Sequence, residues 1–509
     1  MDVPTLMRQA AQANRARTAL VFEDRRLTFE EAWDRGVRVA NALIAMGVRP
    51  GDRVAAVEDN SLTAADLYLG AAIAGAVRVP LYARNSRASH LAMLRSTGCK
   101  LLFAESHYAE SVAGAEAEVA SLTQVVVRDR GYEAWLAAQS SLDPMVEVGP
   151  DDWFIIRHSS GTSGQPKGVG YTQSGWLANS RNWFVRLPTP DWDTVIAHAA
   201  PISHAAGYMF IPVWLAGGTN LLIRSFAVGE VLDMMEAGVS HLFLAPSMVA
   251  ALANDPSVPS RRFPRLRCIL TGGGPITDAT INASRRAFGE VLYQVYGQTE
   301  ATPLTFMTPK EWFAEAAGSA PLRSAGRAMP YARLQVRDVE SGRPLAAGAV
   351  GEIYAQVEAQ MSGYWNDARR SAETLIDGWV KTGDIGRIDG NGYLYVLDRA
   401  DDMIVSGGFN IWPAELETVI ADHPGVLEVA VFGIPHDRWG ETPMAVCQVR
   451  EGVVLDPDEI IALVSERMGS YMKPSRVAFC TEPLPKTLVG KLSRRTLRAP
   501  FWEGRQRGA

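Results

Sequence analysis

The sequence predicts an α/β protein with three textures along the chain: a large N-terminal domain of parallel-type sheets flanked by helices, a β-rich subdomain, and a small α+β C-terminal domain. Short apolar runs alternate with helical patterns as far as Leu270, the arrangement that builds parallel sheets with helices on their faces. From Leu334 onward, strand-like runs are broken by Gly342, Gly348 and Gly351. Beyond Asp398–Asp402 a compact unit begins, with helices and strands of its own.

The elements follow in order. Thr28-Phe29-Glu30-Glu31 fits a capping box, in which hydroxyl and carboxylate satisfy each other's backbone donors. The helix it opens carries Val37, Ala40, Leu43 and Ile44 at helical spacing, and Gly47 stops it. Asp52 to Val57 reads as a strand, Leu67 to Ala76 as a helix, and Val77 to Leu81 as a strand. Further strands are expected at Leu101–Phe103, Gln124–Val127, Trp153–Arg157, Val195–Ala199, Asn220–Ile223, His241–Leu244 and Cys268–Leu270. In the C-terminal unit, Glu415 to Ala421 is the first helix and Leu427–Phe432 and Ala445–Val449 are strands. Asp456 caps a helix ending near Met468.

At 509 residues the chain exceeds one simple core, so two or more domains are expected. Hydrophobic content of 47% and charged content of 21% describe an ordinary globular protein. A net charge of −6 with no basic stripe argues against a nucleic-acid partner. No apolar run approaches membrane-spanning length, and Met1–Arg17 lacks the apolar region of a signal peptide. Cys99, Cys268, Cys447 and Cys480 show no CxxC or metal spacing, which fits buried thiols in a cytoplasmic setting.

The stretch with the strongest chemical content is Ser159-Ser160-Gly161-Thr162-Ser163-Gly164-Gln165-Pro166-Lys167-Gly168. It follows an apolar strand and precedes a helix that Thr172 or Ser174 can cap, with Trp176, Leu177 and Trp183 inside. Glycines admit backbone N–H groups to an anion, hydroxyls add donors, and the lysine adds charge. It is not a Walker A loop, because Lys167 lies between Pro166 and Gly168 rather than before Ser or Thr.

This loop resembles the phosphate loop of the adenylate-forming superfamily, which contains acyl- and aryl-CoA synthetases, luciferases and peptide-synthetase adenylation domains. The same family's other signatures follow in order: Tyr296-Gly297-Gln298-Thr299-Glu300, Lys381-Thr382-Gly383-Asp384, Asp398-Arg399 with Ser406-Gly407-Gly408, and Pro485-Lys486 leading to Gly490-Lys491. The resemblance implies a reaction in which a carboxylate attacks the α-phosphorus of ATP, and a thiol then takes the acyl group from AMP. ATP, Mg²⁺ and coenzyme A are the implied cofactors, and a small-molecule carboxylic acid is the partner; assembly as a homodimer is left open.

By resemblance, the loop from Ser159 to Gly164 with Lys167 holds the β- and γ-phosphates. Thr299 reaches the α-phosphate, and Glu300 supplies a carboxylate oxygen to Mg²⁺, as a hard cation requires. Tyr296 and Gly297 with Gly273, Gly274 and Pro275 border the adenine, while Asp384 and Arg399 hold the ribose. Lys491 bridges carboxylate and α-phosphate. His204, Tyr208 and Gly272 line the acid pocket; Gly407, Gly408, Trp439, Tyr471 and Lys473 meet coenzyme A. The implied division is an N-terminal adenylation domain, 1–398, a hinge, 399–401, with Asp401 as pivot, and a mobile C-terminal lid, 402–509.

Two positions depart from the family pattern: His158 stands where tyrosine or threonine is common, and Gln173 replaces a histidine. The aspartate that pairs with an α-amino group in amino-acid-activating relatives is absent near Pro201–Tyr208. A buried unpaired ammonium is costly, so amino acids are rejected, and an aromatic or medium-chain acid is favoured over acetate. Competing readings are transfer to a carrier-protein thiol, luciferase-like oxidation, and a non-catalytic nucleotide-binding protein on this fold.

Overall fold

A computed structural model describes residues 1–160, 166–407, 409–450, 452–485 and 492–503. The chain divides into two compact units. The first comprises Met1–Leu334, Tyr354–Thr382 and Asp389–Leu394; the second comprises Gln335–Ile353, Gly383–Ile388 and Tyr395–Ala509. Glycine-punctuated strands at Ala332–Arg337, Gly351–Val357, Trp379–Ile388 and Leu394–Arg399 make up the β-rich texture.

In the first unit two sheets are mainly parallel inside and antiparallel at their edges. Among the described residues, nine strands form one sheet. Thr18–Phe22, Thr219–Leu222, Val195–His198, His241–Leu244, Cys268–Gly272 and Leu292–Gln298 run parallel in that order. Arg25–Thr28, Ala301–Met307 and Arg327–Ala328 add antiparallel edges. The seven-stranded sheet has the parallel order Trp153–Ser160, Val77–Leu81, Arg53–Val57, Leu101–Glu105, Gln124–Arg128. Trp176, Trp183, Trp214 and Phe210 are fully buried in the cluster shared by these elements. Burying each such side chain contributes roughly 1.5–3 kcal/mol.

The helix of residues Phe29–Ala45 begins with the expected capping box; Asp456 caps Pro457–Met468 as expected, and Glu459 completes a capping box there as well. One expectation is corrected. Pro166–Thr172, read as the approach to a helix, is a strand paired antiparallel with Trp153–Ser160, from Ser160↔Pro166 to Trp153↔Thr172. The helix starts only at Gln173, with Thr172 as its cap. The helix N-terminus therefore follows this strand and not Lys167 directly. Val169 and Tyr171 bury one face of this strand. A Cβ on Gly170 would lie 2.4 Å from the Trp153 ring, so glycine is what lets that indole cross the strand.

The second unit holds a sheet of order Phe409–Ile411, Ile404–Ser406, Gly440–Val449, Val426–His436, with Arg476–Cys480 parallel to Gly440–Val449. Helices Pro413–Ala421 and Pro457–Met468 pack on it through Leu416, Ile420, Ile460 and Val464. Cys99, Cys268 and Cys447 are buried free thiols, and Cys480 is half-buried. No helix among the described residues is long and apolar enough to cross a membrane.

Candidate functional site

The site in the first unit is assembled from the ends of its strands. Ser159 Oγ donates to Glu300 Oε1 at 3.0 Å, and Tyr364 Oη donates to the same oxygen at 2.9 Å. Glu300 is 7% exposed. The Tyr171 hydroxyl donates to the Thr299 carbonyl at 2.7 Å, and Met361 N–H donates to the Glu300 carbonyl at 2.7 Å. Thr299-Glu300 is thus fixed by both its backbone and its carboxylate. Lys167 is registered opposite Ser159, and its Nζ lies 5.6 Å from the centre of the Tyr364 ring. Both hydroxyl donors go to Oε1; a carboxylate oxygen is the donor type a hard cation takes, so Glu300 could hold one.

A second group borders this one. Asn60, just past the strand Arg53–Val57, donates to the carbonyls of His198, Ala200 and Ile223 and accepts from Ile202 N–H at 2.8 Å. One amide therefore ties the loops of both sheets and sets the position of Pro201–Tyr208. Gly207 in that segment has no alternative, because a Cβ there would fall 1.9 Å from the Ile202 carbonyl oxygen. His204 Nδ1 is hydrogen-bonded to Ser203 Oγ at 2.9 Å, and its ring meets Tyr82 edge-on at 4.7 Å. Burial, with Arg157 and Arg78 nearby, pulls its pKa down to about 3. His204 is therefore neutral at pH 7 and a poor proton acceptor. Tyr208 stacks on Trp176 at 5.3 Å.

Gly272 ends the strand Cys268–Gly272, and Gly273, Gly274 and Pro275 form the turn that follows. Tyr296 and Gly297 lie at the end of Leu292–Gln298, with the Tyr296 ring packed against Ala301 and its neighbours. Of the two departures, His158 has both ring nitrogens buried without a partner, and burial pulls its pKa down to about 4. Gln173 is buried and accepts the Val3 N–H at 3.0 Å, anchoring the N-terminal helix.

In the second unit Arg399 Nε lies 2.8 Å from Asp384 Oδ1, and Asp384 is buried. Gly407 N–H donates to the Trp439 carbonyl, and Trp439 stacks on His436 at 4.3 Å. Tyr471 packs on Phe409 at 5.0 Å; Tyr471, Phe409, Trp439 and Lys473 are exposed. Ser406 is registered with both Phe409 and Gly440, so the two aromatic pairs flank one strand end. Arg494 is bound by Glu417 through two bonds, by Asp398 at 2.8 Å and by Asp402 at 3.3 Å.

Ser159, Lys167, Thr299 and Glu300 come together in one unit, as do Asp384 and Arg399 in the other. Gly161, Thr162, Ser163, Gly164, Gly408 and Lys491 lie outside the described residues, as do the side chains of Ser160 and Asp401. Sequence reasoning missed Tyr364, Tyr171 and Asn60. Tyr364 had a signal in Ser362-Gly363-Tyr364-Trp365, an aromatic pair behind a glycine; Asn60 had none.

A family model described as AMP-binding enzyme matches residues 7–365, and one described as AMP-binding enzyme C-terminal domain matches residues 415–491. The chain is 36% identical to a feruloyl-CoA synthase of an Amycolatopsis species, covering 93% of this chain and 94% of the other. It is 32% identical to the fatty acid–[acyl-carrier-protein] ligase ScoC of Streptomyces coeruleorubidus, covering 97% and 95%. Among solved structures, ATP-bound MatB from Rhodopseudomonas palustris superposes with a TM-score of 0.88 at 26% identity, covering 98% and 99%.

Proposed function

The chain belongs to the AMP-binding enzyme family, as an AMP-forming acid–thiol ligase, and from that premise we propose that it joins an aromatic or medium-chain carboxylic acid to coenzyme A through an acyl-adenylate. A carboxylate oxygen attacks the α-phosphorus and the bond to pyrophosphate breaks. The thiol sulfur then attacks the acyl carbon, the bond to the bridging oxygen breaks, and AMP leaves with that oxygen. The observation that carries this reading is that Ser159 and Tyr364 both bind Glu300, with Lys167 registered opposite Ser159 and its Nζ near the Tyr364 ring.

Two anions meet in this reaction, so the site must offset negative charge. Ser159–Gly164 and Lys167 bind the phosphates, and Thr299 meets the α-phosphate, where preorganised donors lower the barrier most. Glu300 would hold Mg²⁺, which supplies positive charge to the phosphate oxygens when bound. Tyr296, Gly297 and the turn Gly273–Pro275 enclose adenine, and Asp384 with Arg399 binds the ribose. His204, held neutral, shapes the acid pocket with Tyr208 and Gly272 and does not act as a base. Lys491 stabilises adenylation. Rotation of 402–509 about the hinge 399–401, with Asp401 as pivot, then brings in Gly407, Gly408, Trp439, Tyr471 and Lys473 for coenzyme A, a gating step of the hinge class.

The likeness to a feruloyl-CoA synthase supports an aromatic acid. The likeness to an acyl-carrier-protein ligase favours a second acceptor, the pantetheine arm of a carrier protein. A panel of carboxylic acids assayed for ATP-dependent pyrophosphate release, with free coenzyme A or a holo carrier protein added, tests both. Aromatic or medium-chain acids should give AMP and a coenzyme A thioester. Preference for acetate would overturn the substrate class, and thioester on the carrier alone would overturn the acceptor. No AMP with any acid would overturn the reading itself.

A further inference from the structure

Arg157 has no role in any of the signatures, and its surroundings are those of a cation awaiting an anion. It closes the apolar run Trp153-Phe154-Ile155-Ile156 within the strand Trp153–Ser160 and is 7% exposed. Its guanidinium lies 4.3 Å from the centre of the Tyr208 ring and 5.9 Å from that of Trp176. Nη2 donates weakly to the Ser203 carbonyl at 3.4 Å, and Nη1 is buried with no hydrogen-bond partner. The other buried arginines, Arg35, Arg78 and Arg128, each hold a carboxylate within 3 Å. Among the described residues Arg157 has no carboxylate within ion-pair distance.

A buried guanidinium without a counter-ion is costly, and apolar replacement of such a group is commonly neutral or stabilising. Aromatic faces recover part of that cost. The neighbouring imidazoles of His158 and His204 do not recover the rest, since an imidazole carries no negative charge. The place of the residue identifies the missing partner. By strand alternation Arg157 shares a face with Ser159, which is bonded to Glu300 on the phosphate side. On its other flank it touches Ser203, next to His204 on the acid side. The group that must occupy the boundary between the two is the carboxylate of the acid.

We infer that Arg157 is the residue that receives the ionised carboxylate of the acid substrate and holds it for attack on the α-phosphorus. This rests on the ligase reading given above. A planar guanidinium matches a carboxylate with paired donors. Once the oxygen has bonded to phosphorus, the acyl group is neutral and the attraction is released, so Arg157 serves the first half-reaction and not the second.

The test compares wild type with Arg157→Met and Arg157→Lys, using an acid that the wild type activates. In Arg157→Met the KM for the acid should rise roughly ten-fold to a hundred-fold, the worth of a charged hydrogen bond. The KM for ATP should hold, and so should thioester formation from a supplied acyl-adenylate. Arg157→Lys, which keeps the charge and loses the fork, should fall between. Calorimetry should show that the primary amide of the same acid binds wild type and Arg157→Met equally. The melting temperature of Arg157→Met should be unchanged or raised. An unchanged KM for the acid, or an equal loss of acid and amide binding, overturns the inference; so does a collapse in melting temperature of both variants, which assigns Arg157 to the fold. Failure of the wild type to release pyrophosphate with any acid instead overturns the ligase reading on which this rests.

Discussion

Arg78 and Arg157 lie on neighbouring strands of one sheet, with Arg78 registered opposite Ile155, yet their charges are handled in opposite ways. Arg78 and Arg128 both bind Glu58, at 2.8 and 2.6 Å, and all three are almost wholly buried. Arg128 also donates to the Thr63 carbonyl. Arg157 has two aromatic faces and one long hydrogen bond. The first cluster holds its counter-ion, although Nε and Nη1 of Arg78 and Nε of Arg128 are buried with no hydrogen-bond partner. The second holds no counter-ion. A buried charge with its counter-ion in place belongs to the frame, and one without it marks where a ligand completes the structure.

Removing the counter-ion of the first cluster is the strongest challenge to that distinction. Glu58→Gln would leave two buried guanidiniums sharing no anion, and such a loss costs about 3–5 kcal/mol. Denaturant unfolding should show that drop, while kcat/KM per folded molecule stays near the wild-type value. A stable but inactive Glu58→Gln variant would erase the line between frame and site.

Glu300→Gln alters the site and leaves the frame in place. The amide oxygen can still accept from Ser159 and Tyr364, so the melting temperature should move little. Loss of the negative oxygen should slow acid-dependent pyrophosphate release roughly ten-fold to a thousand-fold, the usual effect of one preorganised electrostatic group. Unchanged turnover would place Glu300 with the frame.

The smallest effect concerns a neutral member of the frame. His198 is fully buried against Asn220 at 2.8 Å, and burial pulls its pKa down to about 4. The unfolded chain takes up a proton there near pH 6.5, and the folded chain refuses it until about pH 4. Its contribution is thus complete above pH 6.5 and is lost as pH falls through that window. His198→Gln should reduce the stability lost between pH 7 and pH 5 by about 1–2 kcal/mol, read from urea midpoints at both values. An unchanged pH dependence would mean that His198 is protonated in the folded protein.

The parts of this fold that were legible in sequence are those decided locally. The capping box at Thr28 and the cap at Asp456 are set by residues close in sequence, and the strands Val77–Leu81 and His241–Leu244 are short, mostly apolar runs. Pro166–Thr172 was illegible because Gly168 and Gly170 look like turn residues. They are strand residues here because the segment pairs with Trp153–Ser160, and the missing Cβ leaves room for Ile156 at Gly168 and the Trp153 ring at Gly170. The site divides in the same way. Ser159, Thr299 and Glu300 are found by spacing within their motifs, whereas Tyr364, 64 positions from Glu300, is found only by folding. Arg157 was visible as a charge at the end of an apolar strand, but its lack of a partner is a property of the packed interior.

The fate of one oxygen atom tests adenylation of the acid most directly. With a carboxylic acid labelled in both carboxylate oxygens with ¹⁸O, ATP and coenzyme A, mass spectrometry of the products should find one labelled oxygen in AMP. The thioester should retain the other, because the attacking oxygen stays on phosphorus when the thiol takes the acyl group. Unlabelled AMP, or ADP and labelled inorganic phosphate in its place, would contradict adenylation of the acid.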